Sequence, residues 1–318
     1  MDDFLITDVS KFLFLVRTKF QARLIKSFYE AFECQPEIDI IIISQENNAN
    51  EIRKILEGIK FRYLKVLEYN YVRFNFFEPF YFFKNIADLI LKRYDFIVFG
   101  SLDAGPFNAF VKIKKNSSLI TVDDGIGNVF TSSELHRNKV TKKQIYYRIL
   151  GLHLSLDQIK KRLLFHVTAF PNLNNLQPRA RYFPVNFSAS ETGFFSLKKN
   201  NINIFIQSLR RDEKEKDFRR TIYDMDIDFS IPHPAAKLED TSWLPGVVIK
   251  SEFLAEELIL EASLAKAKKI LVITSFSTVI LHSFPRNVNK LCVISGRLPF
   301  FDEKVDICKR VGGSYVRI

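Results

Sequence analysis

The run Asp39-Ile40-Ile41-Ile42-Ile43-Ser44 places four β-branched residues in a row. A branched Cβ stiffens the side chain and favours extended backbone. An apolar run that does not alternate with polar residues belongs to a strand covered on both faces, which is the environment of a parallel sheet flanked by helices. The same grammar recurs along the chain. Residues 11–18 read as an earlier strand, and residues 21–32 carry Leu24, Ile25, Phe28 and Phe32 on one helical face. A helix over residues 50–59, with Ile52, Ile55, Leu56 and Ile59 inward, leads to a strand over 61–69. An aromatic tract over 71–83 and a helix over 86–93 precede a strand at 95–101, a helix at 106–113 and a strand at 119–122. Strands alternating with helices imply a parallel sheet with helices on both sides.

Residues 142–164 are basic and read as mostly helical, ending this alternation. Residues 172–196, with Pro178, Pro184 and several Asn and Ser, read as an irregular connection. A second alternating block follows. Its strands are expected at 203–207, 229–234, 247–249, 269–274, 291–294 and 314–318, and its helices at 212–220, 253–265 and 279–284. At 318 residues the chain has room for two domains of ordinary size. The expected fold is α/β and GT-B-like: two Rossmann-type domains, 1–195 and 196–318, with a cleft between them. One large doubly wound domain is the alternative.

Chemistry concentrates at a few turns. Leu119-Ile120-Thr121-Val122 runs straight into Asp123-Asp124-Gly125-Ile126-Gly127. That sets two carboxylates at the carboxyl end of a strand, where open α/β sheets form ligand crevices. Adjacent carboxylates repel, so their pKa values split and one can serve as a proton acceptor. An Asp-Gly turn that merely caps the next element fits the same residues. His233 stands between Pro232 and Pro234, which suits either a solvent-exposed His in a stiff Pro turn or an imidazole held in place for an anion-binding or acid role. Ser275-Phe276-Ser277-Thr278 follows a strand and opens a helix, which suits either simple capping or phosphate binding. Glu256 and Glu257 fall in an acidic first turn, where they complement the helix dipole or accept from a ribose diol. The other histidines read as structural.

A net charge of +11 favours anionic partners, from sugar nucleotides and phosphorylated glycans to membrane surfaces. The basic cluster of Lys139, Lys142, Lys143, Arg148, Lys160, Lys161 and Arg162 has no nucleic-acid recognition motif beside it, so nucleic acid is not expected. GxGxxG, Walker A, HExxH and GxSxG motifs are all missing from the sequence, which removes support for dinucleotide enzymes, P-loop NTPases, zincins and α/β-hydrolases. Cys34, Cys292 and Cys308 lack metal-ligand spacing and read as reduced thiols. The apolar run Phe12 to Val16 is too short for a membrane span, and the expected location is cytoplasmic, or peripheral on the inner face of the cytoplasmic membrane.

Taken together these stretches resemble the family 52 bacterial glycosyltransferases, known for lipooligosaccharide sialyltransferases. Leu15-Val16-Arg17-Thr18-Lys19-Phe20-Gln21-Ala22 is similar to the family's opening strand and turn, with Lys19 and Phe20 in place of Pro and Leu. Asp123-Asp124-Gly125 resembles the acidic-acidic-Gly motif of several bacterial sialyltransferase families. Ile204-Phe205-Ile206-Gln207-Ser208-Leu209 resembles the strand opening a nucleotide-binding domain, with Gln207 where Gly is usual. Ile231-Pro232-His233-Pro234 matches the His-Pro motif, with Ala235 where Arg often follows. Leu254-Ala255-Glu256-Glu257 resembles the Ala-Glu segment, and Ser277-Thr278 falls where paired hydroxyls are found.

The resemblance implies an inverting transfer of N-acetylneuraminic acid from CMP-Neu5Ac to a galactose-type hydroxyl of lipooligosaccharide or capsule. Asp123, with Asp124 beside it, is implied as base, and Asp212 is a second candidate. His233 and Pro234, with Ser275, Ser277 and Thr278, are implied at the departing phosphate, Glu256 at the ribose, and Gln207 in the nucleotide pocket. The first domain then holds the acceptor and the second the nucleotide sugar. No cofactor and no metal are expected. The expected partners are the donor, a lipid-linked oligosaccharide, the membrane surface and a second copy of the chain. Another nucleotide sugar, or a glycan- or membrane-binding homologue without activity, is the competing reading.

Overall fold

The computed structural model describes residues 7–44, 46–68, 77–101, 105–125, 142–170, 173, 175, 179–195, 199–208, 211–234, 236–250, 253–265, 269–296 and 300–318. The chain divides into two compact units, Met1–Asn186 and Phe187–Ile318.

The first unit is built on seven strands: β1 (Lys11–Val16), β2 (Glu37–Ser44), β3 (Tyr63–Glu68), β4 (Phe96–Phe99), β5 (Ser118–Val122), β6 (Leu163–Thr168) and β7 (Ala180–Tyr182). Their order is β3-β2-β1-β4-β5-β6-β7 and every pairing is parallel. The helices are α1 (Lys19–Glu30), α2 (Glu46–Ile55), α3 (Glu78–Asn85), α4 (Ala87–Leu91), α5 (Gly105–Ile113), α6 (Lys142–Ile149) and α7 (Leu156–Arg162).

The apolar run of β1 shows why the sheet is two-sided. Successive side chains of a strand point to opposite faces. Phe12, Phe14 and Val16 accordingly join Leu24, Ile25 and Phe28 of α1 and Ile52 of α2. Leu13 and Leu15 join Phe82 of α3, Leu89 of α4, and Phe107 and Phe110 of α5. The buried Asp39 on β2 is held by Arg62, Lys92 and Tyr94 Oη, the last at 2.8 Å.

Two expectations need correcting here. The basic stretch 142–164 is mostly helical, in α6 and α7, but it does not end the alternation. Ser155 starts a new helix by accepting from Gln158 N at 3.2 Å, while Gln158 Oε1 accepts from Ser155 N at 2.9 Å, a reciprocal cap. The chain then turns into β6, whose run Leu163-Leu164-Phe165-His166-Val167-Thr168 is as strand-like as any in the molecule. The irregular connection also contributes the edge strand β7.

The second unit carries β8 (Asn201–Ile206), β9 (Phe229–Ile231), β10 (Val247–Val248), β11 (Lys269–Thr274), β12 (Val288–Ile294) and β13 (Ser314–Arg317), in the order β10-β9-β8-β11-β12-β13, again all parallel. Its helices are α8 (Lys216–Tyr223), α9 (Leu238–Thr241), α10 (Ala255–Leu264) and α11 (Phe301–Arg310). Ile202, Ile204 and Ile206 of β8 pack with Leu258, Ile259 and Ala262 of α10. Phe205, on the other face, packs with Phe218 and Ile222 of α8 and with Trp243.

Both units are therefore doubly wound Rossmann-type domains, and the pair is GT-B-like. Strand order reverses between β1 and β4 in the first sheet and between β8 and β11 in the second. Crevices that bind ligands form at such reversals, beyond the carboxyl ends of the strands. Among the described residues no helix is long and apolar enough to cross a membrane.

Candidate functional site

In the first unit the two neighbouring aspartates have been given opposite surroundings. Asp123 is fully buried. Its Oδ1 faces His166 Nε2 at 2.9 Å and accepts from Asn175 Nδ2 at 3.2 Å. Its Oδ2 accepts from Thr168 Oγ1 at 2.8 Å and Ala169 N at 2.9 Å. A carboxylate offers about four acceptor positions, and these four bonds fill them. His166 is fixed in turn by Thr121 Oγ1, 2.8 Å from Nδ1.

Asp124 is only half-buried and begins the turn beyond β5, where Gly125 takes a φ of 66° that favours glycine. Its Oδ1 accepts from Gln21 Nε2 at 2.8 Å. Gln21 itself is completely buried at the start of α1. Ser101, just past β4, lies 2.8 Å from the same amide nitrogen. Thus the ends of β1, β4 and β5 converge on Asp124, at the reversal in strand order. Residues 126–141, including Gly127, lie outside the described residues.

The second unit gathers its polar residues at the corresponding place. Gln207, buried just past β8, donates from Nε2 to Asp240 O at 2.8 Å and accepts from His233 N at 3.3 Å. It therefore ties the His-Pro turn to the end of β8. His233 is partly buried, and burial pushes its imidazole below the usual histidine range. Pro234, next in the chain, is exposed.

Ser275, fully buried beyond β11, donates to Glu213 Oε1 at 2.8 Å and touches Ser208 Oγ. Ser208 gives Glu213 two further bonds, from N at 2.8 Å and Oγ at 2.9 Å. Ser277 caps the 3-10 turn Thr278–Leu281, its Oγ accepting from Val279 N at 3.4 Å, and Thr278 is partly buried. Asp212 belongs to the 3-10 turn Arg211–Lys214, but its side chain lies outside the described residues. Glu256 is buried with Oε1 3.5 Å from His282 Nε2. Glu257 Oε2 accepts from Leu254 N at 2.8 Å and so caps α10. Among the described residues no cluster of three His, Cys, Asp or Glu could hold a metal ion.

The chain matches glycosyltransferase family 52 over residues 40–294, most of its length. It belongs to that family. The family match spans both sheets, from β2 to β12, and includes the Asp123–Asp124 turn and the His233 turn. Among curated proteins none matches the chain in sequence.

Two solved structures share the fold, and a third aligns more loosely. A proposed UDP-N-acetylglucosamine 2-epimerase from Listeria monocytogenes aligns with a TM-score of 0.53 at 14% identity, covering 89% of this glycosyltransferase and 79% of the other chain. The UDP-bound MnaA of S. aureus aligns with a TM-score of 0.50 at 12% identity, with the same coverage. An α/β-galactoside α-2,3-sialyltransferase from Photobacterium phosphoreum covers 96% of both chains, with a TM-score of 0.49 at 11% identity.

Three functional candidates were missing from the sequence reading of this family 52 chain: His166, Gln21 and Glu213. Gln21 sat in the opening turn already compared with the family, three residues after a helix-capping Thr18. His166 needed β6 to be recognised as a strand. Glu213 adjoins Asp212, and nothing in its local sequence marks it.

Proposed function

We propose that this glycosyltransferase is an inverting sialyltransferase that uses CMP-Neu5Ac as donor and a glycan hydroxyl as acceptor, with Asp124 as general base. One observation carries the choice of residue: of the two adjacent carboxylates, Asp123 has every acceptor position filled in a fully buried site, and Asp124 does not share that burial. A base has to reach the proton that it removes. Asp123 then acts as the anchor that fixes the turn, and Asp124 takes the proton from the acceptor hydroxyl.

The second unit supports the leaving group in this reading. His233, held by Gln207, meets the phosphate of CMP, with Ser277 and Thr278 as further donors. Stabilising charge on the departing group is the other half of an inverting displacement. CMP leaves as one phosphate, so protein donors can carry its charge, and turnover is expected without added metal. EDTA should leave the rate unchanged; complete loss restored by Mg²⁺ or Mn²⁺ would refute this part.

The acceptor is proposed to be lipid-linked, with the basic chain lying on an anionic membrane surface. The net charge of +11 supports this, as do Phe80 and Tyr81, exposed on α3. Attraction of this kind weakens with salt, so vesicle binding insensitive to salt would contradict it.

The donor is tested by thermal shift with CMP, CDP, UDP and GDP, because a ligand stabilises according to its saturation. CMP should raise Tm most. A clear preference for UDP or GDP would replace the sialyltransferase reading with transfer from another nucleotide sugar.

A further inference from the structure

We infer that Gln21 is the positioning residue for Asp124, fixing the direction of its carboxylate and favouring its ionised form; this rests on Asp124 being the base. A glutamine side chain has one carbonyl acceptor and two N–H donors. Gln21 Oε1 accepts from Arg17 N at 3.0 Å, and Nε2 donates to Ser101 Oγ and to Asp124 Oδ1, both at 2.8 Å. Turning the amide over would set its oxygen against the Asp124 carboxylate and its NH₂ against the Arg17 N–H. Only the observed orientation pairs donors with acceptors, so the N–H aimed at Asp124 is locked.

Two backbone features are shaped around that amide. A Cβ on Gly100 would lie 2.5 Å from Gln21 Nε2 and 2.8 Å from its Cδ, so glycine is what leaves the amide its place. Ser101, whose hydroxyl meets the amide, has a φ of 47°. Left-handed backbone at a residue other than glycine is strained and gathers at functional sites. Thr18 Oγ1 accepts from Gln21 N at 3.2 Å and holds the backbone of the same residue. A hydrogen bond to the charged form of a carboxylate favours that form. Gln21 is thereby suited to keep Asp124 deprotonated and aimed.

The test reads Asp124 directly. Protein labelled with ¹³C at aspartate carboxyls is titrated by NMR, and the Asp124 signal is assigned by its loss in Asp124→Asn. In Gln21→Met the Asp124 midpoint should move upward by roughly one pH unit, the worth of one hydrogen bond to a charged group. Gln21→Glu, which brings a second carboxylate to Asp124, should move it further. The acid limb of CMP release from CMP-Neu5Ac should follow the same shift, with KM for the donor unchanged.

Gly100→Ala, which leaves Gln21 in the sequence but displaces its amide, should shift the midpoint in the same direction. Added to Gln21→Ala it should do nothing more, because residues acting through one contact are not additive. Where Gln21→Met does not fold, Gly100→Ala carries the test. An Asp124 midpoint unmoved in these variants overturns the inference, even if Asp124→Asn is inactive. Normal turnover in Asp124→Asn would instead remove the base assignment, a separate outcome.

Discussion

His166 Nε2 meets Asp123 Oδ1 at 2.9 Å across the ends of two adjacent strands, and both side chains are completely buried. The register of β5 on β6 makes this meeting unavoidable. Thr121 pairs with His166 and Val122 with Val167, and Asp123 N then donates to Val167 O at 3.1 Å. Replacing Asp123 by Ala strands the donors of His166, Thr168, Ala169 and Asn175 around an empty site. A buried donor left without its partner costs about 1–3 kcal/mol. Asp123→Ala should therefore lower the urea midpoint strongly, and Asp123→Asn should do so as well, since its NH₂ must face a donor. A variant with wild-type stability would show that the network does not hold the turn.

Asp124→Asn should behave in the opposite way. The asparagine can still present its oxygen to Gln21 Nε2, so folding is kept and Tm should hardly change. Proton removal is lost, and turnover should fall by roughly 10²–10⁴-fold, the usual worth of a general base. CMP affinity should be retained, because the residues proposed to meet the nucleotide belong to the second unit. Turnover close to wild type in Asp124→Asn, with loss in Asp212→Asn, would move the base to the second unit.

The contrast between the two aspartates explains what could be read from the sequence. The strand 119–122 and its acidic turn were legible because β-branched residues running into Asp-Asp-Gly describe a strand end on local grounds alone. Which carboxylate is buried was not legible, because the answer comes from His166 and Thr168, more than forty positions away. Their strand begins directly at the end of α7, and the basic residues before it extend a helical reading over it. The second sheet was read well for the same local reasons as the first. The helix Phe301–Arg310 escaped: Phe300 at φ 70° starts it without a side-chain cap, although Asp302 and Glu303 give it an acidic first turn.

Glu261 explains why residues 187–195 fall with the second unit, where proline and polar composition point to an irregular connection over 172–196 and a first domain ending at 195. Its carboxylate on α10 accepts from Ser190 Oγ at 2.5 Å, Thr192 N at 3.1 Å, Thr192 Oγ1 at 2.7 Å and Gly193 N at 2.8 Å. Burial pushes this carboxyl up, but the bonds from Ser190, Thr192 and Gly193 outweigh it and hold the group below the usual glutamate range. A carboxyl lowered in the folded state contributes stability above its unfolded pKa and loses that contribution as pH falls through the folded one. Glu261→Gln should thus lower Tm at pH 7 by roughly 2–4 °C, the worth of about 1 kcal/mol in a chain of this size. The gap should begin to narrow as pH falls below the unfolded glutamate value, about 4.3, where the unfolded chain takes up the proton first. A gap that stayed constant to pH 3 would mean that charge on Glu261 contributes nothing.

His233 should make nucleotide binding depend on pH. Burial disfavours the imidazolium, so the side chain of the free protein titrates below the ordinary histidine value and is neutral at pH 7. A phosphate beside it favours the imidazolium, which raises its pKa in the complex. Binding must then take up a proton, and affinity must strengthen as pH falls through the bound-state pKa, levelling off below that of the free protein. CMP has a titrating phosphate of its own, so the informative quantity is the ratio of Kd in His233→Ala to Kd in the wild type. That ratio should be small at pH 8 and should rise to roughly 10–100-fold near pH 5.5, the range given by one hydrogen bond to a charged partner. Titration calorimetry in two buffers of different ionisation enthalpy would count the proton directly, with uptake near pH 6.5 in the wild type and none attributable to this residue in His233→Ala. A Kd ratio that stays flat across this pH range would place His233 away from the phosphate, and its stiff Pro-His-Pro turn would then serve only to connect β9 to α9.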